Sequence, residues 1–150
     1  MNPQETPHLE TTEEVMFFDT DAGGVVHNIA YLRFIETCRT RLAVHMGMDI
    51  TGMMAVQQYP VVVRTEIDYR LPAKFADILL IRGWLDQLER ARFWFRFEVL
   101  RASDGARLIT CRQSLALVEM PKGKPLRVPA EWRQRWPHLT AAAKSEESAS

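Results

Sequence analysis

Ten consecutive residues, Asp19-Thr20-Asp21-Ala22-Gly23-Gly24-Val25-Val26-His27-Asn28, place two carboxylates, a glycine pair, an imidazole and an amide directly ahead of a helical pattern. The first N–H groups of a helix lack intrahelical partners, and the helix dipole puts partial positive charge at that end. A carbonyl attacked by water becomes an oxyanion, and donors fixed in advance at its position stabilise it. The amide N–H of Asn28 or a neighbour is the candidate donor. A carboxylate held nearby, Asp19 or Asp21, can then deprotonate the water or attack the carbonyl itself. The same ten residues also describe an ordinary capped turn: Asp and Thr bond local backbone, Gly23 and Gly24 permit unusual dihedrals, and Asn28 caps the helix. Local features alone leave both readings open.

The elements that must position this loop are legible on either side of it. From Ile29 to Met46, Tyr31, Ile35, Cys38, Leu42 and Met46 recur at steps of three and four, the spacing of one helix face, and Gly47 supplies a stop. A short strand is expected before the loop, from about Glu14 to Phe18. After a Met-rich connection the pattern changes to period two. Val61, Val63, Thr65, Ile67 and Tyr69 share one face and Arg64, Glu66 and Asp68 the other, which predicts a half-buried strand. Further strands are expected over 78–88, 93–101 and 108–118, the second of these aligning Phe93, Phe95, Phe97 and Val99. Asp104-Gly105 is a hairpin signal between the last two. One strand, one long helix and four strands joined by short turns predict an α+β fold, an antiparallel sheet with a helix on one face. No Gly-rich phosphate loop is present to support a nucleotide-binding βαβ series.

Composition narrows the function. The chain has 150 residues, 47% of them hydrophobic, enough for one packed core. Nineteen basic and nineteen acidic side chains give no net charge, so no general nucleic-acid-binding surface is expected. No secretory signal or membrane-span pattern is read, and Cys38 and Cys111 lie in apolar stretches, so a cytoplasmic location without a disulfide is expected. Residues 1–10 and 140–150 are polar and expected to be poorly ordered, leaving a single folded domain over 11–139. His8, His27, His45 and His138 lack metal-ligand spacing, and no G-x-S-x-G, H-E-x-x-H or paired C-x-x-C occurs.

The stretch FFDTDAGGVVHNIAYLRFIETCRTR resembles the signature of hotdog-fold acyl-CoA thioesterases of the 4-hydroxybenzoyl-CoA thioesterase and YbgC-like branch. A second stretch, PVVVRTEIDYRLPAKFADILLI, resembles the family's following strands at Ile67, Asp68, Tyr69, Pro72, Ala73 and Asp77. The resemblance as a whole covers about Thr11 to Pro129. The resemblance implies a five-stranded antiparallel sheet wrapped around the long helix. It also implies homodimers, with tetramers as an alternative, and active sites between protomers. Asp21 falls on the catalytic aspartate, Asp19 on the preceding acid, and the Asn28 amide on the carbonyl-polarising donor. The substrate implied is an acyl-CoA or acyl-carrier-protein thioester, with no cofactor beyond the coenzyme A carried by the substrate. Gly24, Val26 and Tyr31 are candidate substrate contacts. Arg90 and Arg92, at a strand turn, lie where relatives place cations for the coenzyme A phosphates.

The match departs from the family where many members read Tyr-His-Ala-Asn-Tyr and this chain reads His27-Asn28-Ile29-Ala30-Tyr31. His27 therefore stands either at the site or as a solvated loop residue, and Asn28 occupies the usual histidine position, where it can orient water but supply no proton. These departures motivate an alternative: a non-catalytic acyl-CoA or acyl-carrier-protein binding module of the same fold. A hotdog hydratase is weaker, since no separate Asp-His dehydratase signature is seen. Met46, Met48, Met53 and Met54 read either as core filling or as an adaptable acyl pocket. Trp84 and Trp94 read as sheet packing, and Trp132 and Trp136 as anchors of the C-terminal segment.

Overall fold

The long helix is set by its ends. In the computed structural model, which describes residues 5–140, α1 spans Asn28–His45, and His27 rather than Asn28 is its N-cap. His27 Nδ1 accepts the Ala30 N–H at 3.2 Å, the role an Asn, Asp or Ser side chain more often fills. At the other end Gly47 adopts φ +97, and the Met48 N–H returns to the Ala43 carbonyl at 2.8 Å, a turn that favours glycine. The predicted stripe is the buried face: Tyr31, Ile35, Cys38, Leu42 and Met46 all join the core, with Phe34 added.

Five strands form one antiparallel path in the order β1-β3-β4-β5-β2: β1 His8–Glu14, β2 Gln58–Tyr69, β3 Ile78–Leu88, β4 Phe93–Arg101 and β5 Arg107–Glu119. A short sixth strand, β6 Lys124–Leu126, pairs with the end of β5. The curved sheet wraps α1, which is the hotdog arrangement. Leu79, Ile81 and Leu85 of β3, Phe93, Phe95, Phe97 and Val99 of β4, and Ile109, Cys111 and Leu115 of β5 are buried in the core that α1 completes. Gly83 admits the closest approach: a Cβ there would meet Phe97 at 2.8 Å and Cys38 Sγ at 3.0 Å.

Three expectations are corrected. The first strand is not Glu14–Phe18 but β1, seven residues from His8. It forms because residues 8–14 pair with 84–78 of β3 at the sheet edge, where only Thr11 is buried and a polar sequence suffices. Residues 8–10, expected to be poorly ordered, therefore belong to the sheet. Phe17–Asp19 is a 3-10 turn with both phenylalanines exposed. β2 is not half-buried within the chain. Its alternation is interrupted by a bulge between Val62 and Arg64, and as an edge strand it leaves Val61, Val62 and Val63 exposed. The Met-rich connection holds a further helix, α2 Ile50–Val56, capped by Asp49.

The Asp104-Gly105 hairpin is present, with Gly105 at φ +71. Trp132, on α3 Ala130–Arg135, and Trp136 are buried, Trp132 edge-on to Phe93 with centroids 5.1 Å apart. Cys38 and Cys111 are free and buried. No helix among the described residues is long and apolar enough to cross a membrane. Residues 1–4 and 141–150, which hold most of the expected terminal segments, lie outside the described residues.

Candidate active site

The loop ahead of α1 closes as a small hairpin. His27 N–H donates to Asp19 O at 3.0 Å, Thr20 bridges Val26, and Asp21 N–H donates to Val25 O at 2.9 Å. The turn at its tip is tightened by Gly24 N–H to Asp21 O at 3.0 Å, with Gly24 at φ +78. This conformation is open to glycine at little steric cost. Gly24 thus shapes the loop rather than projecting a side chain to a ligand.

The two acids part company here. Asp19 is 3% exposed; its Oδ2 accepts the Met16 N–H at 2.9 Å and its Oδ1 lies 3.8 Å from Arg33. It is committed to holding the loop. Asp21 is exposed; its Oδ1 accepts the Gly23 N–H at 2.8 Å. Its Oδ2 has no partner among the described residues. That oxygen is open to water or substrate.

At the helix start, the Ala30 N–H is taken by His27, whereas the amides of Asn28 and Ile29 have no hydrogen-bond partner among the described residues. Two adjacent open donors at the positive end of an 18-residue helix have the chemistry to stabilise an anion. Beside them opens a cleft of about 250 Å³ lined by Val26, Asn28, Tyr31, Tyr69, Arg70, Leu71 and Pro72. Val25, opposite Asp21 in the hairpin, stands three residues before Asn28, about 10 Å of extended chain. Asp21 is thus tied to the strand of the hairpin that leads into α1 and does not line the cleft itself.

The second sequence match supplies the frame for this cleft. Val26 N–H donates to Ala73 O at 2.9 Å, Ala73 N–H to the Tyr31 hydroxyl at 3.0 Å, and Val25 bridges Lys74. Burial raises the Tyr31 hydroxyl pKa above its ordinary value, partly offset by the Ala73 hydrogen bond. Val26 and Tyr31 are both buried, so their main part is structural. Tyr69 packs its ring on Tyr31 at 5.9 Å and donates its hydroxyl to Asn28 O at 3.3 Å. Asp77 Oδ2 accepts the Lys74 N–H at 2.9 Å and pairs with Arg101 at 3.2 Å. Arg101 reaches on to Pro72 O at 2.8 Å. Tyr69, Ala73 and Arg101 were not singled out as site residues from the sequence; the alternation of β2 pointed to a face for Tyr69 but not to its contact with the helix start.

Arg90 and Arg92 are not brought to Asp21 within the chain. Asp77 contacts Val15 just before the loop, whereas Arg90 follows the far end of β3, about 33 Å along that eleven-residue strand. There the Arg90 carbonyl accepts Val128 N–H and the Arg133 side chain. A larger hollow, about 1000 Å³, lies on the other side of the sheet from α1, around Arg82, Trp84 and Arg96, and includes no predicted site residue. Of the two, the small cleft is the better candidate for carbonyl chemistry because Asn28 at the helix start lines it. Among the described residues no group of three or more His, Cys, Asp or Glu side chains could hold a metal ion.

A curved antiparallel sheet wrapped around one long helix is the hotdog fold. Residues 15–136 match the model of the thioesterase-like superfamily, and the chain belongs to that family. It is 32% identical over 126 residues to the acyl-CoA thioesterase YbgC of Haemophilus influenzae, covering 83% of this chain and 91% of that protein. It is 28% identical over 125 residues to the acyl-CoA thioester hydrolase YbgC of Escherichia coli O6:H1, covering 80% and 92%. The 1,4-dihydroxy-2-naphthoyl-CoA thioesterase of Synechocystis shares the fold, with a TM-score of 0.76 at 21% identity over 88% of this chain and 97% of that one.

Proposed function

We propose that this thioester hydrolase acts on acyl-CoA, the substrate class named for its YbgC relatives, with Asp21 as general base or nucleophile. The thioester carbonyl oxygen sits against the Asn28 and Ile29 amides. Asp21 Oδ2 either removes a proton from the attacking water or attacks the carbonyl to give an anhydride that water then opens. In both routes the oxyanion forms at the helix start and collapses with expulsion of the coenzyme A thiolate. What supports this reading is an exposed carboxylate with an open oxygen on the loop that leads into α1, together with two amides lacking partners at the start of that helix. General base catalysis contributes about 10²–10⁴-fold. His27, with Nδ1 given to Ala30, serves chiefly to fix the helix start.

The active form in this reading is a homodimer. β2 is a twelve-residue edge strand with three exposed valines in a row, a kind of edge that proteins cover or pair. Two-fold antiparallel pairing of β2 with its copy sets the Tyr69 end of one protomer beside the Gln58 end of the other, so each cleft gains a wall from the partner.

The test is thiol release from a panel of aromatic, short aliphatic and fatty acyl-CoAs by wild type and Asp21→Asn. The expected loss in the variant is at least about 10²-fold; equal rates would remove Asp21 from the mechanism. Tight binding with the thioester intact after hours would instead identify a binding module. Light scattering of wild type and Val62→Lys tests the β2 pairing and separates dimer from tetramer by mass.

A further inference from the structure

A second cavity, of about 690 Å³, lies under α2 at the C-terminal half of α1. Its walls are Met48, Met53, Met54, Phe95 and Leu115, and at one side Arg39. The volume falls in the range of small-molecule sites. The lining is loosely covered where it meets α2: that helix contributes no buried residue, and its Met54 and Val56 stay exposed. Methionines of this kind adapt to ligands of varied shape.

Arg39 gives the cavity its selectivity. The guanidinium is half-buried and donates to Gln113 Oε1 at 2.6 Å, a neutral acceptor held in place because Gln113 Nε2 donates to Thr65 Oγ1 at 3.2 Å. No carboxylate forms an ion pair with Arg39 among the described residues. Burial depresses its pKa, and Glu36, one turn back, only partly offsets this. The other charged group on the lining, Asp49, turns its Oδ1 to the Gly52 N–H at 2.6 Å as the cap of α2. A desolvated guanidinium with remaining donors matches a carboxylate, which it can bind through two parallel hydrogen bonds.

We propose that this cavity binds a medium-length apolar chain ending in a carboxylate, the chain among the methionines and the carboxylate on Arg39. Such a ligand has two sources: a free alkyl carboxylate, or the far end of a dicarboxylic acyl thioester whose other end is hydrolysed. Only the second source rests on the proposed acyl-CoA hydrolysis, and the binding measurement is independent of turnover.

Titration calorimetry of the full chain with sodium octanoate and with 1-octanol is the primary experiment. Wild type is expected to bind octanoate at least about tenfold more tightly than octanol, the scale of one charge-assisted contact. Arg39→Met should abolish that preference. Met53→Trp, which fills the cavity from its rim while leaving Arg39 in place, should weaken both ligands, and circular dichroism of each variant verifies folding. Kinetic comparison of suberoyl-CoA with octanoyl-CoA separates the sources. A kcat/KM preference for suberoyl-CoA that Arg39→Met removes assigns the carboxylate to the acyl terminus. Equal use of both, with octanoate binding still dependent on Arg39, assigns it to a free acid. Absence of saturable octanoate binding, equal binding of octanoate and octanol, or an unchanged preference in Arg39→Met would overturn the proposal. That set includes the case in which a second copy of the chain supplies the carboxylate to Arg39.

Discussion

The Tyr31 hydroxyl accepts the Ala73 N–H at 3.0 Å while the carbonyl of the same Ala73 accepts the Val26 N–H at 2.9 Å. One fully buried residue thereby clamps the first turn of α1 and the return arm of the hairpin ahead of it to the connection after β2. Tyr31→Phe keeps the ring and removes the acceptor, leaving a buried N–H unpaired at a cost of about 1–3 kcal/mol. Urea unfolding should show a lower midpoint at unchanged slope. Turnover should fall with it, because Val26 and His27 set the position of the open amides. An unchanged midpoint would mean the clamp is dispensable.

Asp19 and Asp21 should separate cleanly in one pair of measurements. Asp19→Ala removes the acceptor of the Met16 N–H and the charge facing Arg33, so stability should drop by about 1–3 kcal/mol. Asp21→Asn retains an acceptor for the Gly23 N–H on an exposed loop, and stability should stay within about 0.5 kcal/mol of wild type. Its activity alone should be lost. The reverse pattern, with Asp21→Asn unfolding the chain, would return this loop to a purely structural role.

Much of this arrangement was legible in the sequence because it rests on local periodicity. The α1 stripe, the phenylalanine face of β4 and the strand over 78–88 each repeat a spacing that only one element satisfies. β1 was displaced because an edge strand paired on one side requires no apolar alternation, so His8–Glu14 left no such pattern to read. The exposure of β2 escaped for a related reason: alternation reports a face that is covered somewhere, not one covered within the same chain. At the candidate site, the helix start was readable from spacing. The Ala73 clamp and the Arg101–Asp77 pair were not, because each joins segments far apart in sequence, the first largely through backbone groups every residue carries and the second through two side chains that only the folded sheet brings together. The exchange of capping roles between Asn28 and His27 turned on a one-residue shift, finer than side-chain preference can resolve.

His27 offers a test of that exchange. An imidazole accepting at Nδ1 carries its proton on Nε2, so while capping α1 it cannot take a proton from water. His27→Ala should cost about 1 kcal/mol through loss of the cap, and His27→Ser should recover most of it. Thiol release by the serine variant is expected within a few-fold of wild type. A serine variant as stable as wild type but strongly impaired in turnover would give His27 a direct part in the reaction.

The buried thiols set a limit at alkaline pH. Burial pushes Cys111 up to about 12 and Cys38 up to about 11, and it raises Tyr31 from its ordinary 10.0. An unfolded thiol ionises near 9.0, so above that pH the unfolded chain releases protons that the folded chain retains. Stability linked to these groups is therefore fully present below about pH 9 and is lost as pH rises toward 11 to 12. Thermal midpoints should be level with respect to these groups between neutrality and about pH 9 and then decline. Replacing both cysteines with alanine should flatten part of that decline, although it costs stability at neutral pH. Labelling of the wild type by a thiol reagent at pH 8 should proceed only at the rate set by opening of the core, since the reactive thiolate is suppressed in the folded state. Rapid labelling of either cysteine in the native protein would show that the packing of α1 against β3 and β5 opens far more readily than the buried positions of Cys38 and Cys111 imply.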